Sequence, residues 1–180
     1  MRKLKFVLAG LAVAGLAVSS AVAAPPAGQG QGDGSNPAQL CAEQLKTMGA
    51  AGFQSTYAPN GNAQSAMGKC ISRQAQAAET DAVNAAKKCK AERESMGVEK
   101  FNDTYGTNVN KKNASGKCVS GYAKEQGEER QESTLNAAKT CKAERAKDPA
   151  AFKTSYGTNG NKANAFGKCV SKLVKAQKPS

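Results

Sequence analysis

Histidine and tryptophan are both absent from this chain of 180 residues. Without imidazole the commonest general base and a common zinc ligand are missing. The six cysteines lack the close Cys-x-x-Cys spacing of zinc sites, and a thiol nucleophile would have no histidine beside it. Carboxylates are few, 14 against 26 lysines and arginines. Glu128 and Glu129 sit in a polar stretch where both should be solvated, so no acid–base pair suggests a pocket. These absences disfavour an enzyme and predict no metal and no cofactor. Aromatics make up only 5% of the chain, which leaves little ring surface for a ligand.

The first residues read as a signal peptide, residues 1–23. Arg2, Lys3 and Lys5 form a basic start, Phe6 to Val18 is apolar, and Ala21-Val22-Ala23 offers small residues at the positions a signal peptidase reads. The 13-residue apolar run falls short of the roughly 20 residues that span a bilayer. Cleavage after Ala23 leaves 157 residues and lowers the formal charge from +12 to +9. Residues 24–37, mostly Pro, Gly, Gln, Ala, Ser and Asn, offer no apolar face and read as a disordered linker.

What is present is a triplication. Cys41 and Cys70 lie 29 apart, Cys89 and Cys118 lie 29 apart, and Cys141 and Cys169 lie 28 apart. Between each pair come a Phe (Phe53, Phe101, Phe152), a Tyr four residues later (Tyr57, Tyr105, Tyr156), an Asn-x-Asn and a Gly-Lys-Cys. This divides the chain into repeat 1 (38–73), a helical connector (74–83), repeat 2 (84–120), a second connector (121–135) and repeat 3 (136–178). Net charge climbs along the chain, +2 over 39–73, +4 over 84–120 and +8 over 136–178.

Apolar and small residues recur at helical spacing around the first Cys of each repeat, among good helix formers. Gly49, Gly97 and Asp148-Pro149 should end that leading helix. A short helix carrying Phe and Tyr on one face follows, then an Asn-rich loop. Ser65, Asn113 and Asn164, five residues before the second Cys, are suited to cap a trailing helix. From Ser65 to Met96 there is no Pro and only one Gly, so trailing and leading helices should fuse into one. Gly121 and Gly127 leave a break open in the second connector. The expected picture is a rod of modules winding about shared helices.

In a secreted chain six cysteines should form disulfides, and of 15 pairings the repeat selects Cys41–Cys70, Cys89–Cys118 and Cys141–Cys169. Each closes a loop of about 29 residues and should stabilise by roughly 3 to 4 kcal/mol, which modules with such small cores need. The Phe/Tyr pairs read as core. The pairs Asn60/Asn62, Asn108/Asn110 and Asn159/Asn161 lack the carboxylates of a calcium loop and read as turn formers. Gly68-Lys69, Gly116-Lys117 and Gly167-Lys168 lie near a helix start, where anions are attracted. The other reading, and the favoured one, is that the glycine lets helices approach near the disulfide and the lysine is solvated.

The run Tyr156-Gly157-Thr158-Asn159, followed by Asn164-Ala165-Phe166-Gly167-Lys168-Cys169-Val170-Ser171, resembles a repeat signature of uncharacterised secreted proteins of actinobacterial type. Repeat 2 departs from it at Ser115, and repeat 1 at Ala58-Pro59, Ser65 and Met67. The resemblance spans most of residues 38 to 175. It implies secretion and the repeat, and no activity.

The sequence thus predicts an all-α protein of three tandem disulfide-linked modules, elongated, sharing long connecting helices, and secreted or cell-wall associated. Lys168, Lys172 and Lys175, spaced at four and three, share one helix face, and Lys139, Lys142 and Arg145 come from the other helix of repeat 3. These six form the candidate surface for cell-wall or other extracellular polyanions. The alternatives are a structural or protein-interaction rod, or an inhibitor-like scaffold, whose charge only aids solubility. N-terminal sequencing of the secreted protein should begin at Ala24; a start at Met1 would refute the cleaved signal.

Overall fold

The computed structural model describes residues 36–177. The signal peptide, the linker up to residue 35 and the last residue of repeat 3 lie outside the described residues. Among these, six helices and no strands are found: α1 (Pro37–Tyr57), α2 (Ala63–Met96), α3 (Val98–Tyr105), α4 (Ala114–Lys147), α5 (Pro149–Tyr156) and α6 (Ala165–Ala176).

Each repeat bends at the expected position, by different means. Gly49 kinks α1 with φ 72°, and Gly97 separates α2 from α3 with φ 84°, a region that L side chains avoid. In repeat 3, Asp148 takes over. Its carboxylate accepts from the amides of Ala150 at 3.0 Å and Ala151 at 2.9 Å, and Pro149 starts the next helix.

The trailing helices begin differently from the sequence reading. Ser65 is not the cap of α2: Asn62 is, accepting from Ser65 N at 2.8 Å while Ser65 Oγ accepts from Asn62 N at 3.1 Å. This reciprocal box satisfies two otherwise unpartnered amides. Asn113 and Asn164 do stand at the helix starts, but their side chains turn away from the helix. Asn113 Oδ1 accepts from Thr107 N at 3.0 Å and Asn164 Oδ1 from Thr158 N at 3.0 Å, which ties down the preceding loop. No side chain caps the first turn of α4 or α6.

Disulfides join Cys41 to Cys70, Cys89 to Cys118 and Cys141 to Cys169, each with Cα atoms 6.0 Å apart. Beside each bond lie the Phe and Tyr rings, their centroids 4.9 Å apart in all three repeats. The tyrosine hydroxyl then donates to the residue three places after the first Cys. That residue is Gln44 in repeat 1, Glu92 in repeat 2 (2.5 Å) and Glu144 in repeat 3 (2.9 Å).

Helices α2 and α4 are shared between repeats, and each runs for 34 residues, roughly 51 Å at 1.5 Å per residue. Gly121 and Gly127 do not break α4. The two helices pack antiparallel. Cys89–Cys118 joins them near α3, and Arg130 donates to Asp81 further along. Ala85 of α2 and Ala137 and Ala138 of α4 are fully buried.

The modules are not strung in single file, as a rod of successive modules would require. The return of α4 brings repeat 3 against repeat 1, and their disulfides, with Met48, Phe53, Tyr57, Phe152, Phe166 and Val170, form one core. Repeat 2 keeps a separate small core around Cys89, Phe101, Ala114 and Cys118. Two features set the pairing of repeats. Fully buried Gln44 donates to Gln131 of α4 at 2.6 Å, and Gln131 donates to the carbonyl of Leu40 at 3.2 Å. Phe166 lies on Gly52 so closely that a Cβ there would meet its ring at 3.1 Å. Its counterparts are Met67, half-buried against the core, and Ser115, which is exposed.

Two stability effects should follow. Phe166→Ala should cost about 3 to 5 kcal/mol, because it empties the contact between repeats. Ser115→Ala, at the equivalent place in repeat 2, should stay within about 0.5 kcal/mol. Denaturant unfolding of the oxidised protein compares them, and equal losses would refute the shared core. A Cβ at Gly121 meets nothing within 4 Å, so Gly121→Ala should raise stability by roughly 0.5 to 1 kcal/mol; a lowered melting temperature would argue against an unbroken α4.

Candidate functional site

Helix α6 lies against the second half of α1, and the contact is backbone on backbone. A Cβ at Gly167 would meet Thr56 Cα at 2.7 Å and the Ser55 carbonyl oxygen at 2.9 Å. Only glycine permits this approach. Ser55 Oγ donates to the carbonyl of Ala163 at 2.6 Å and fastens the two elements beside it. Gly68 and Gly116 face open space instead. Close approach therefore accounts for the glycine of Gly-Lys-Cys in repeat 3 alone, and the helix approached belongs to repeat 1.

Beside this contact runs a groove of about 600 Å³. Lys168, Lys172 and Lys175 form one wall, as their spacing on α6 predicts; Ser55, Thr56 and Pro59 of repeat 1 form the other, with Arg73 of α2. No carboxylate lines it. Two of the four cations rest on ring faces. Arg73 Cζ is 5.3 Å from the centre of the Tyr57 ring, and Lys172 Nζ is 5.7 Å from that of Tyr156. Arg73 also reaches the Thr56 carbonyl at 3.5 Å.

The six cations chosen from sequence divide. Lys168, Lys172 and Lys175 share this groove. Lys139 and Lys142 line a different one, about 670 Å³, with Lys46 from α1, where Glu43 lowers the local positive charge. Arg145 lines neither; its guanidinium lies 4.9 Å from the centre of the Phe166 ring and covers the joint core. Sequence reasoning missed Arg73 and Lys46 because both come from repeat 1. For Arg73 a signal was available. It stands three residues after Cys70 as Lys172 stands three after Cys169, and each covers the tyrosine of its own repeat.

The remaining polar clusters have partners of their own. Glu92 accepts from both Tyr105 and Tyr122, at 2.5 and 2.6 Å, and Lys88 Nζ sits 3.6 Å from the centre of the Tyr122 ring. These phenol bonds hold the Glu92 carboxyl below the usual carboxylate range and push the Tyr105 phenol up. Burial raises the Tyr57 phenol, and the bond to Glu144 raises that of Tyr156. The loop amides are engaged as well: Asn110 accepts from Lys112 N at 3.1 Å and Asn161 from Ala163 N at 3.0 Å. These are turn-forming bonds.

Among the described residues no group of three His, Cys, Asp or Glu side chains is placed to hold a metal ion, and no helix is long and apolar enough to cross a membrane. Comparison with protein-family models, with curated proteins and with solved structures finds no match to this chain.

Proposed function

We propose that this is a secreted, non-catalytic, basic repeat protein that binds extracellular polyanions electrostatically, through the groove between α1 and α6. The observation that carries the reading is the convergence of Arg73 from repeat 1 with Lys168, Lys172 and Lys175 from repeat 3 on one groove without a carboxylate. Like charges gather at a cost, and opposite charge on a ligand relieves it. Lys46, Lys139 and Lys142 line a second basic groove, with Glu43 weakening its charge. Arg145 belongs to the core in this reading and adds little to binding.

Such binding should be unspecific in sequence and should fall steeply with salt, because each neutralised anion releases a counterion. Against a flexible polyanion, replacing Lys168, Lys172 and Lys175 together by Gln should lower the slope of log affinity against log salt by about 2, at about 0.7 per contact. Replacing Lys139 and Lys142 should lower it less. Titration of the oxidised protein against heparin at several salt concentrations measures both slopes. Binding that is absent, or whose slope the triple replacement leaves unchanged, would leave a structural or protein-interaction scaffold as the better account.

A further inference from the structure

Resting on that reading, we infer that the polyanion is a flexible chain of repeated phosphate groups that carries no nucleobases. Single-stranded nucleic acid is held by two things together, a basic track for its backbone and exposed aromatic faces on which successive bases stack. The groove has the first. Lys168, Lys172 and Lys175 rise along one face of α6 with Arg73 opposite, three compact ammonium charges and one planar fork, both suited to phosphate oxygens.

The second is missing. No aromatic side chain lines the groove; its walls are Ser, Thr, Pro, Asn and Gly beside the cations. Every ring among the described residues is buried or half-buried. The two tyrosines closest to the groove cations are already covered, Tyr57 by Arg73 and Tyr156 by Lys172, and each packs its ring against the neighbouring Phe of its repeat. A base could stack only by displacing the cations that would hold its phosphate. The ligand that fits is charged along its backbone and needs no ring contact.

The test uses the full mature protein with its disulfides intact, titrated at one low salt concentration with inorganic polyphosphate, oligothymidylate and poly-glutamate of matched chain length. Tyrosine emission reports stacking directly, since the chain has no tryptophan. Polyphosphate should bind most tightly, and oligothymidylate should bind more weakly and leave tyrosine emission unchanged. Arg73→Gln should weaken polyphosphate roughly tenfold, the size of one lost charge-assisted contact, while Lys100→Gln, at an exposed position on α3 of repeat 2, should have little effect. Tighter binding of oligothymidylate with quenched tyrosine emission would overturn the inference in favour of nucleic acid. Poly-glutamate binding as tightly as polyphosphate would overturn the choice of phosphate and leave the polyanion reading intact. If none of the three binds, the proposed function falls with it.

Discussion

The constraint on which everything else rests is the covalent tie between the leading and trailing helix of each repeat. A repeat contributes a Phe/Tyr pair and few other apolar side chains to its core, which is too little buried surface to order some 35 residues unaided. The disulfide removes much of the freedom of the unfolded loop and fixes where the two helices cross. Once that crossing is set, the aromatic pair has a floor to pack on. The tyrosine hydroxyl then finds its acceptor one turn from the cysteine, and the direction of the trailing helix follows.

Variation on this frame decides which repeats associate. The tyrosine acceptor is a neutral amide, Gln44, where the site is fully buried, and a carboxylate, Glu92 or Glu144, where it is not. A carboxylate at position 44 would have to be desolvated or protonated inside the joint core. The residue three before the second cysteine varies in the same sense. Phe166 couples repeat 3 to repeat 1, whereas exposed Ser115 leaves repeat 2 with a core of its own. The proposed polyanion groove is a by-product of that coupling, since neither repeat 1 nor repeat 3 contains all four cations.

The features legible in sequence are those governed by local chemistry. Gly49, Gly97 and Asp148-Pro149 mark the bends because backbone conformation is a property of a few adjacent residues. The long helix from the first connector into repeat 2 follows from an unbroken run of helix formers, and the cysteine pairing follows from the period. The capping roles were harder to read, because an asparagine beside a helix can bond forward into it or back into its loop; Asn62 does the first and Asn113 the second. Tyr-Gly-Thr-Asn needs the fold for its explanation too. A Cβ at Gly106 would collide with the Asn102 carbonyl and with Lys111, which adopts φ 56° and donates through Nζ to the Gly106 carbonyl. The association of repeats 1 and 3 was not legible, because it depends on Phe166 meeting Gly52 across more than a hundred residues of chain.

The unbroken helix α4 gives the second connector a property resembling a reading frame. Its residues fix both how far repeat 3 is carried back and which way it faces, since each residue advances a helix by 1.5 Å and turns it by about 100°. Gln131 and Cys141 lie on one rigid element, so the polar contact with Gln44 and the covalent tie of repeat 3 are placed together. Losing a single residue between them would rotate Cys141, and with it Phe166 and the lysines of α6, by more than a quarter turn about that axis. A change of seven residues, close to two full turns, would nearly restore the direction while displacing repeat 3 by roughly 10 Å. Among proteins built on this plan, the spacing between successive disulfides should therefore change by close to whole helical turns, as it does here, where Cys70 and Cys89 lie 19 apart and Cys118 and Cys141 lie 23 apart.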